Sequence, residues 1–136
     1  ARAVLGPAGR TLRGTAVSMG NPHCVIFVDD VAAVPLDVWG PAIERDAFFP
    51  RRANVEFVAV ENPDRAAVRV WERGSGATLA CGTGACAVGV AGVLTGRLHR
   101  RVSLSLPGGS LDVEWAPDNH VYLNGPAAFV YDGVWR

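Results

Sequence analysis

The sequence has 136 residues, and its 13 basic residues, all arginine, balance 13 acidic ones. Because there is no lysine, the chain cannot form the internal Schiff base of pyridoxal phosphate enzymes or supply a phosphate-loop lysine. The zero net charge gives no reason to expect binding to nucleic acid, and no apolar run approaches the roughly 18–20 residues that span a bilayer. The length and the 49% hydrophobic content predict one globular domain.

The first half of the chain predicts strands and one short helix, after weakly patterned residues 1–14. Apolar or alternating runs indicate strands over Leu12–Met19, Cys24–Asp29, Asn54–Glu61 and Ala67–Arg73. The last two strands flank a turn and predict a hairpin. In the first strand of this hairpin, alternation places Asn54, Glu56 and Glu61 on the polar face. The helix is predicted over residues 37–46, with an apolar side formed by Val38, Ala42, Ile43 and Ala47.

The second half begins with a stretch, Gly82–Leu94, that is rich in Ala, Gly and Val and carries no charge. This composition predicts a helix buried on nearly all sides, in which glycines allow close packing. Four further strands are predicted over Val102–Leu106, Leu111–Trp115, Asn119–Leu123 and Ala128–Tyr131. The order of elements predicts an α+β domain in which a largely antiparallel sheet curls, like a barrel, around a central buried helix.

Residues 72–87 are the most informative stretch for catalysis and ligand binding. A strand ends in Glu72 and Arg73, a Gly/Ser loop follows, and Cys81 stands directly before the helix. Amides at a helix N-terminus are unpaired and lie at the positive end of the helix dipole, so they can bind a carboxylate and favour a thiolate. From the residues alone, Cys81 is either a reactive thiol beside an anion-binding helix start or a structural cysteine that caps the helix.

The other cysteines and the histidines suggest no second site. Three cysteines are an odd number, which makes a disulfide framework improbable and favours a reducing, cytoplasmic location. Cys24 and Cys86 are expected to be small core residues. The cysteines and the three histidines lack the pair spacing of metal ligands, so no metal is expected.

Four motifs resemble those of one known family. They comprise residues 72–87, residues 19–23 (Met-Gly-Asn-Pro-His), residues 54–57 (Asn-Val-Glu-Phe), and residues 125–133 with Gly-Pro-Ala and Tyr-Asp-Gly. In content and order they resemble the motifs of diaminopimelate epimerase, from about Val17 to the C-terminus. Residues 1–14 contribute little to the likeness.

The resemblance implies an isomerase of lysine and peptidoglycan biosynthesis that needs no cofactor. The family interconverts LL- and meso-diaminopimelate by moving one α-proton between two cysteines, one from each of two similar domains. This chain, residues 1–136, would be a single domain, the C-terminal half. The N-terminal domain with the partner cysteine would be missing, so we expect the isolated chain to be inactive. The complete enzyme would be a homodimer that binds neither nucleic acid nor membrane.

The resemblance also implies roles for individual residues. Cys81 matches a catalytic acid/base thiol, and Glu72 and His23 match positions that support proton transfer by the cysteines. Tyr131 matches a dimer contact. The positions that match substrate contacts are Asn21, Asn54, Glu72, Arg73, Gly82 and Thr83.

Two alternatives remain open. A related cofactor-independent racemase or isomerase would act on another amino acid, such as proline. A non-catalytic module would use the helix start only to bind a small molecule, and the missing partner cysteine makes this alternative credible.

Overall fold

The computed structural model describes residues 2–5 and 11–136. In these ranges the chain forms nine strands and two helices. The strands are β1 (Arg2–Leu5), β2 (Leu12–Ser18), β3 (Pro22–Phe27), β4 (Asn54–Asn62), β5 (Arg65–Glu72), β6 (Gly76–Thr78), β7 (Arg101–Leu106), β8 (Gly109–Trp115) and β9 (Val121–Asn124). The helices are α1 (Leu36–Glu44) and α2 (Gly82–Leu94). Within the described part of the chain, neither helix is long and apolar enough to cross a membrane.

All nine strands belong to one sheet. Its order is β1-β2-β3-β4-β5-β7-β8-β9, with the short β6 paired to β5. Every pairing is antiparallel except β3 with β4 and β5 with β7. Helix α2 contacts strands from both ends of this order, β2 to β4 and β7 to β9, so the sheet curls around it. The α+β fold with a curled, largely antiparallel sheet around a central helix is thus confirmed.

Small residues allow α2 to lie inside the sheet. A Cβ atom added to Gly89 would lie 2.7 Å from Cγ1 of Val113, and one added to Gly92 would collide with Leu98. Ala85, Ala87, Val88 and Ala91 are fully buried, as the uncharged composition predicts. The helix and the inner face of the sheet therefore share one close-packed core.

Helix α1 covers the other face of the sheet, against β4, β5 and β6, and closes a second apolar cluster. The predicted apolar side is right only at Ile43. The buried residues are Leu36, Gly40, Ile43 and Glu44, whereas Val38, Ala42 and Ala47 are exposed. The helix turns this side inward because Gly40 lies directly against the Trp71 ring, where no side chain would fit.

Most predicted strands occur within a few residues of their predicted bounds, and the β4–β5 hairpin is confirmed. One predicted strand is wrong: Ala128–Tyr131 has no regular structure. A strand needs a neighbouring strand to satisfy its backbone, and this segment has none in the described structure. The prediction missed β1, which lies in the weakly patterned N-terminal residues, and the three-residue β6.

We expect the buried thiol of Cys24 to make the fold sensitive to alkaline pH. Burial, followed by the charges of Glu56 and Asp46, raises the pKa of Cys24 from 9.0 to about 12. Between these values the unfolded chain loses a proton that the folded chain keeps, so the free energy of unfolding falls as the pH rises above 9. Chemical denaturation at several pH values should show that Cys24→Ala lessens this slope by up to about 1.4 kcal/mol per pH unit. An unchanged slope would contradict the assignment.

Candidate active site

Cys81 occupies the N-cap of α2, at the open end of the enclosed helix. Its backbone is extended, with φ −142° and ψ 113°, and its side chain turns back over the first turn. The Gly84 amide donates to Sγ at 3.4 Å, and the Thr83 hydroxyl lies 3.7 Å from Sγ. An amide and a hydroxyl of one helical turn therefore contact a partly exposed thiol.

The helix start does not by itself make Cys81 a thiolate. Burial is the largest influence and raises its pKa above the ordinary value. The Gly84 amide and the Thr83 hydroxyl oppose this rise, while the carboxylates of Glu72 and Glu56 add to it. The sequence-based expectation that the helix field favours the thiolate is therefore outweighed by desolvation. The raised pKa favours the protonated thiol, which is suited to donate its proton.

A series of polar contacts leads from the interior to this thiol. Nδ1 of His23 lies 2.7 Å from Oε1 of Glu56, and Nε2 lies 3.1 Å from Oδ1 of Asn21. The Asn21 side-chain amide donates to the Thr83 hydroxyl at 3.2 Å. The parallel register of β3 and β4, with His23 opposite Asn54, brings these residues together near the N-terminus of α2. The predicted residues His23, Asn21, Thr83 and Cys81 thus form one cluster.

Glu56 is the member of this cluster that was not predicted. Its side chain is fully buried, and within the described structure its Oε2 has no hydrogen-bond partner. Burial raises the pKa of this carboxyl, while its contact with His23 lowers it. A Cβ atom on Gly84 would lie 2.8 Å from Oε1 of Glu56 and 3.2 Å from Sγ of Cys81, so a glycine is needed between the two groups.

Sequence alternation assigned Glu56 to a polar face, but the first half of β4 is buried on both faces. The reason is that β4 lies between β3 and β5, with helices on both sides of the sheet. A better signal would have been the parallel β3–β4 pair, because parallel strands are usually covered on both faces. A carboxylate in such a strand needs a partner, and His23 is that partner.

Asn54 joins the strand ends that carry the other predicted residues. Its side-chain amide donates to the Pro22 carbonyl at 3.2 Å, and its Oδ1 accepts the Arg73 amide at 2.9 Å. Arg73 is exposed and donates to the carbonyl of Arg51 at 3.0 Å. No contact between Glu72 and Arg73 occurs among the ion pairs of the described residues, so the two are not a surface salt bridge.

Two carboxylates hold the turn that contains Arg73. Oε1 of Glu72 accepts the Thr78 hydroxyl at 2.7 Å, across the β5–β6 pair. Glu44, at the end of α1, accepts the Trp71 indole N–H at 2.8 Å and the Gly74 amide at 3.2 Å. Gly74 has a φ of +82°, which favours glycine at this turn. The position of Arg73 therefore depends on buried contacts from α1.

The remaining candidates lie elsewhere. Gly82 is the exposed first residue of α2, next to Cys81. Tyr131 lies in the C-terminal segment with 85% of its surface exposed. Cys24 and Cys86 are buried in the core. Among the described residues, no three His, Cys, Asp or Glu side chains are grouped as a metal ion requires.

Together the fold and the site define a class of protein: a curled α+β domain that presents a partly exposed thiol at the open end of its enclosed helix. Solved structures share this fold. A predicted epimerase from Pseudomonas aeruginosa matches 93% of this chain and 48% of its own, with a TM-score of 0.56 at 23% identity. A phenazine biosynthesis PhzF family protein from Enterococcus faecalis matches 71% of this chain and 35% of its own, with the same TM-score of 0.56 at 15% identity.

Sequence comparison identifies the family. The diaminopimelate epimerase family model matches residues 15–130, and the chain belongs to this family. Diaminopimelate epimerase of Moorella thermoacetica is 58% identical over 92% of this chain and 45% of its own length. The enzyme of Desulfitobacterium hafniense is 56% identical over 93% of this chain and 44% of its own. The chain thus spans about half the length of the curated relatives it matches.

We expect Cys81 to be the most reactive cysteine of the folded protein. Cys24 is 0% exposed and Cys86 9% exposed, whereas Cys81 is accessible at the helix start. At neutral pH, iodoacetamide should modify Cys81 at least about tenfold faster than either, as measured by peptide mass spectrometry. In urea the three rates should converge. Equal rates in the folded protein would contradict this placement.

Proposed function

We propose that the full-length protein is a diaminopimelate epimerase and that this chain supplies one of its two acid/base thiols. The observation that carries the proposal is the placement of Cys81, partly exposed at the N-cap of α2, where the Gly84 amide donates to Sγ and the Thr83 hydroxyl lies 3.7 Å from it. The reaction would move the α-proton between LL- and meso-diaminopimelate, and it would use no cofactor.

The chemistry requires a base on one face of the α-carbon and an acid on the other. Cys81 in its protonated form suits the acid role, because burial raises its pKa. In the reverse direction the same sulfur would act as the base, with the donors from Thr83 and Gly84 stabilising its charge. The amides of the first helical turn would hold the substrate carboxylate next to the reacting carbon.

The other predicted residues would bind the remainder of the substrate. Asn21 and Thr83 lie next to the thiol, and Glu72 and Arg73 lie at the end of β5. Arg73 offers a planar group suited to a second carboxylate. Asn54 would contribute mainly by holding Pro22 and Arg73 in place, because both ends of its side-chain amide bond to the backbone.

The second thiol would come from a second, N-terminal domain, and the isolated chain would be inactive. The relatives are about twice as long as this chain, and Cys24 and Cys86 are too buried to act in its place. A second domain or subunit would also cover the apolar side chains of the C-terminal segment, where Phe129 and Trp135 are each 99% exposed. Tyr131 in the same segment would contribute to a homodimer. The three free cysteines support a cytoplasmic location.

Exchange of the α-proton tests the function. Full-length enzyme in deuterated water should introduce deuterium at an α-carbon of diaminopimelate and interconvert the two isomers. Cys81→Ala should lower the rate of interconversion by about 10²–10⁴-fold, because acid/base groups contribute on that order. Cys86→Ala, a matched change of a buried cysteine, should cost far less. Exchange with proline but not with diaminopimelate would favour the racemase alternative, and substrate binding without exchange would favour the non-catalytic module.

A second experiment tests the support of Arg73. Glu44→Gln keeps the shape of the side chain but leaves one acceptor oxygen for two donors, the Trp71 indole and the Gly74 amide. We expect the KM of full-length enzyme for diaminopimelate to rise by about tenfold, with a smaller change in kcat, because the turn that carries Arg73 is loosened. An unchanged KM would show that this clamp does not serve substrate binding.

A further inference from the structure

A series of contacts links Glu56 to Cys81 through the side chains of His23, Asn21 and Thr83. The contacts of Asn21 determine which atoms in this series donate. Asn21 presents its Oδ1 to His23 at 3.1 Å and its Nδ2 to Thr83 at 3.2 Å. An amide oxygen only accepts, so Nε2 of His23 must carry a proton. The Thr83 oxygen accepts from Asn21, which leaves the Thr83 hydroxyl proton available for Sγ of Cys81, 3.7 Å away.

The other end of this series also holds a proton. Nδ1 of His23 and Oε1 of Glu56 lie 2.7 Å apart, and a contact of this length between two groups that can accept requires a proton between them. Both side chains are 0% exposed, and no arginine contacts Glu56 among the described residues. Loss of a proton would leave a buried negative charge without a cation, which is costly. The geometry therefore places one proton between Glu56 and His23 and a second on Nε2 of His23, which faces the Asn21 oxygen.

We propose that Glu56 is a positioning residue for the Cys81 thiol: it shares a proton with His23, keeps His23 donating to Asn21, and so keeps the Thr83 hydroxyl directed at Cys81. The inference rests on the proposed function in that Cys81 is taken as the reacting group. In physical terms, a carboxyl group buried beneath the site determines whether the thiolate receives its second hydrogen bond.

The charged surroundings determine what replacement of Glu56 would do. Cys81 faces Glu56 from β4, Glu72 from β5 and Cys86 on its own helix. Glu56 faces His23 and Cys24 from β3 and Glu72 from β5. The charge of Glu56 raises the pKa of Cys81, so on charge alone Glu56→Gln would move the midpoint of Cys81 alkylation downward. Loss of the hydrogen-bond direction would move it upward, so the sign of the shift separates the two effects.

The test is the pH dependence of Cys81 alkylation in the full-length protein without substrate. In Glu56→Gln the new amide can present either its oxygen or its nitrogen to Nδ1, so both neutral forms of His23 become accessible. For part of the time, Thr83 then donates to Asn21 instead of Cys81. We expect alkylation at neutral pH to slow by about threefold or more, and the midpoint of the pH profile to move upward.

Two further variants control the experiment. Glu114→Gln makes the same change at a carboxylate of β8 that contacts Arg101 and not this series, and it should leave the alkylation profile of Cys81 unchanged. Thr83→Val removes the hydroxyl that lies next to Sγ of Cys81 and keeps the branched shape. It should therefore reproduce the upward shift of the alkylation midpoint. Combining Thr83→Val with Glu56→Gln should add nothing to the effect of Thr83→Val alone, because the coupling passes through that hydroxyl.

The proposal is overturned if folded Glu56→Gln protein shows the wild-type profile, or if its shift adds to that of Thr83→Val. Should Glu56→Gln fail to fold, Thr83→Val still tests the proposal. An unchanged alkylation profile in that variant would show that the Thr83 hydroxyl does not affect Cys81, and it would overturn the proposal. Alkylation needs no turnover. Absence of α-proton exchange in the wild-type enzyme would therefore refute the proposed function without altering how the alkylation results are interpreted.

Discussion

The close approach of α2 to the surrounding sheet is the constraint on which the rest of the structure depends. The helix is enclosed because its packed positions are small, and at Gly89 and Gly92 a single added carbon would strike Val113 or Leu98. Enclosure leaves the N-terminus as an accessible end, and there the chain places Cys81. The same closeness at Gly84 brings the sulfur near the carboxyl of Glu56, so packing and chemistry are determined by the same residues.

A buried carboxyl beside a buried imidazole is costly to maintain, since both are removed from water. Glu56 and His23 offset that cost with one short contact, and the second oxygen of Glu56 has no partner in the described structure. Groups of this kind are uncommon in cores unless a function requires them. The arrangement contrasts with Glu44, whose two oxygens are both occupied and whose contacts hold a turn.

Much of the fold could be predicted from local patterns. The helix Gly82–Leu94 has the predicted bounds, because its composition and the cysteine before it both indicate a buried helix and its start. The prediction failed where burial depends on distant neighbours. The inward side of α1 is determined by its contact with Trp71. The burial of Glu56 results from neighbouring strands and helices, which the alternation of polar and apolar residues within one strand does not reveal. Ala128–Tyr131 has the composition of a strand but no partner strand in the described structure.

The two parallel strand pairs have a consequence for how the domain forms. Each pair is joined through a helix, β3 to β4 through α1 and β5 to β7 through α2, so neither pairing is local in sequence. The β4–β5 hairpin closes over a short turn, whereas closure of β5 onto β7 spans β6 and the whole of α2 and so has the larger loop-closure cost. We therefore expect folding to be rate-limited by enclosure of the helix, and the thiol to acquire its final surroundings only in that last step.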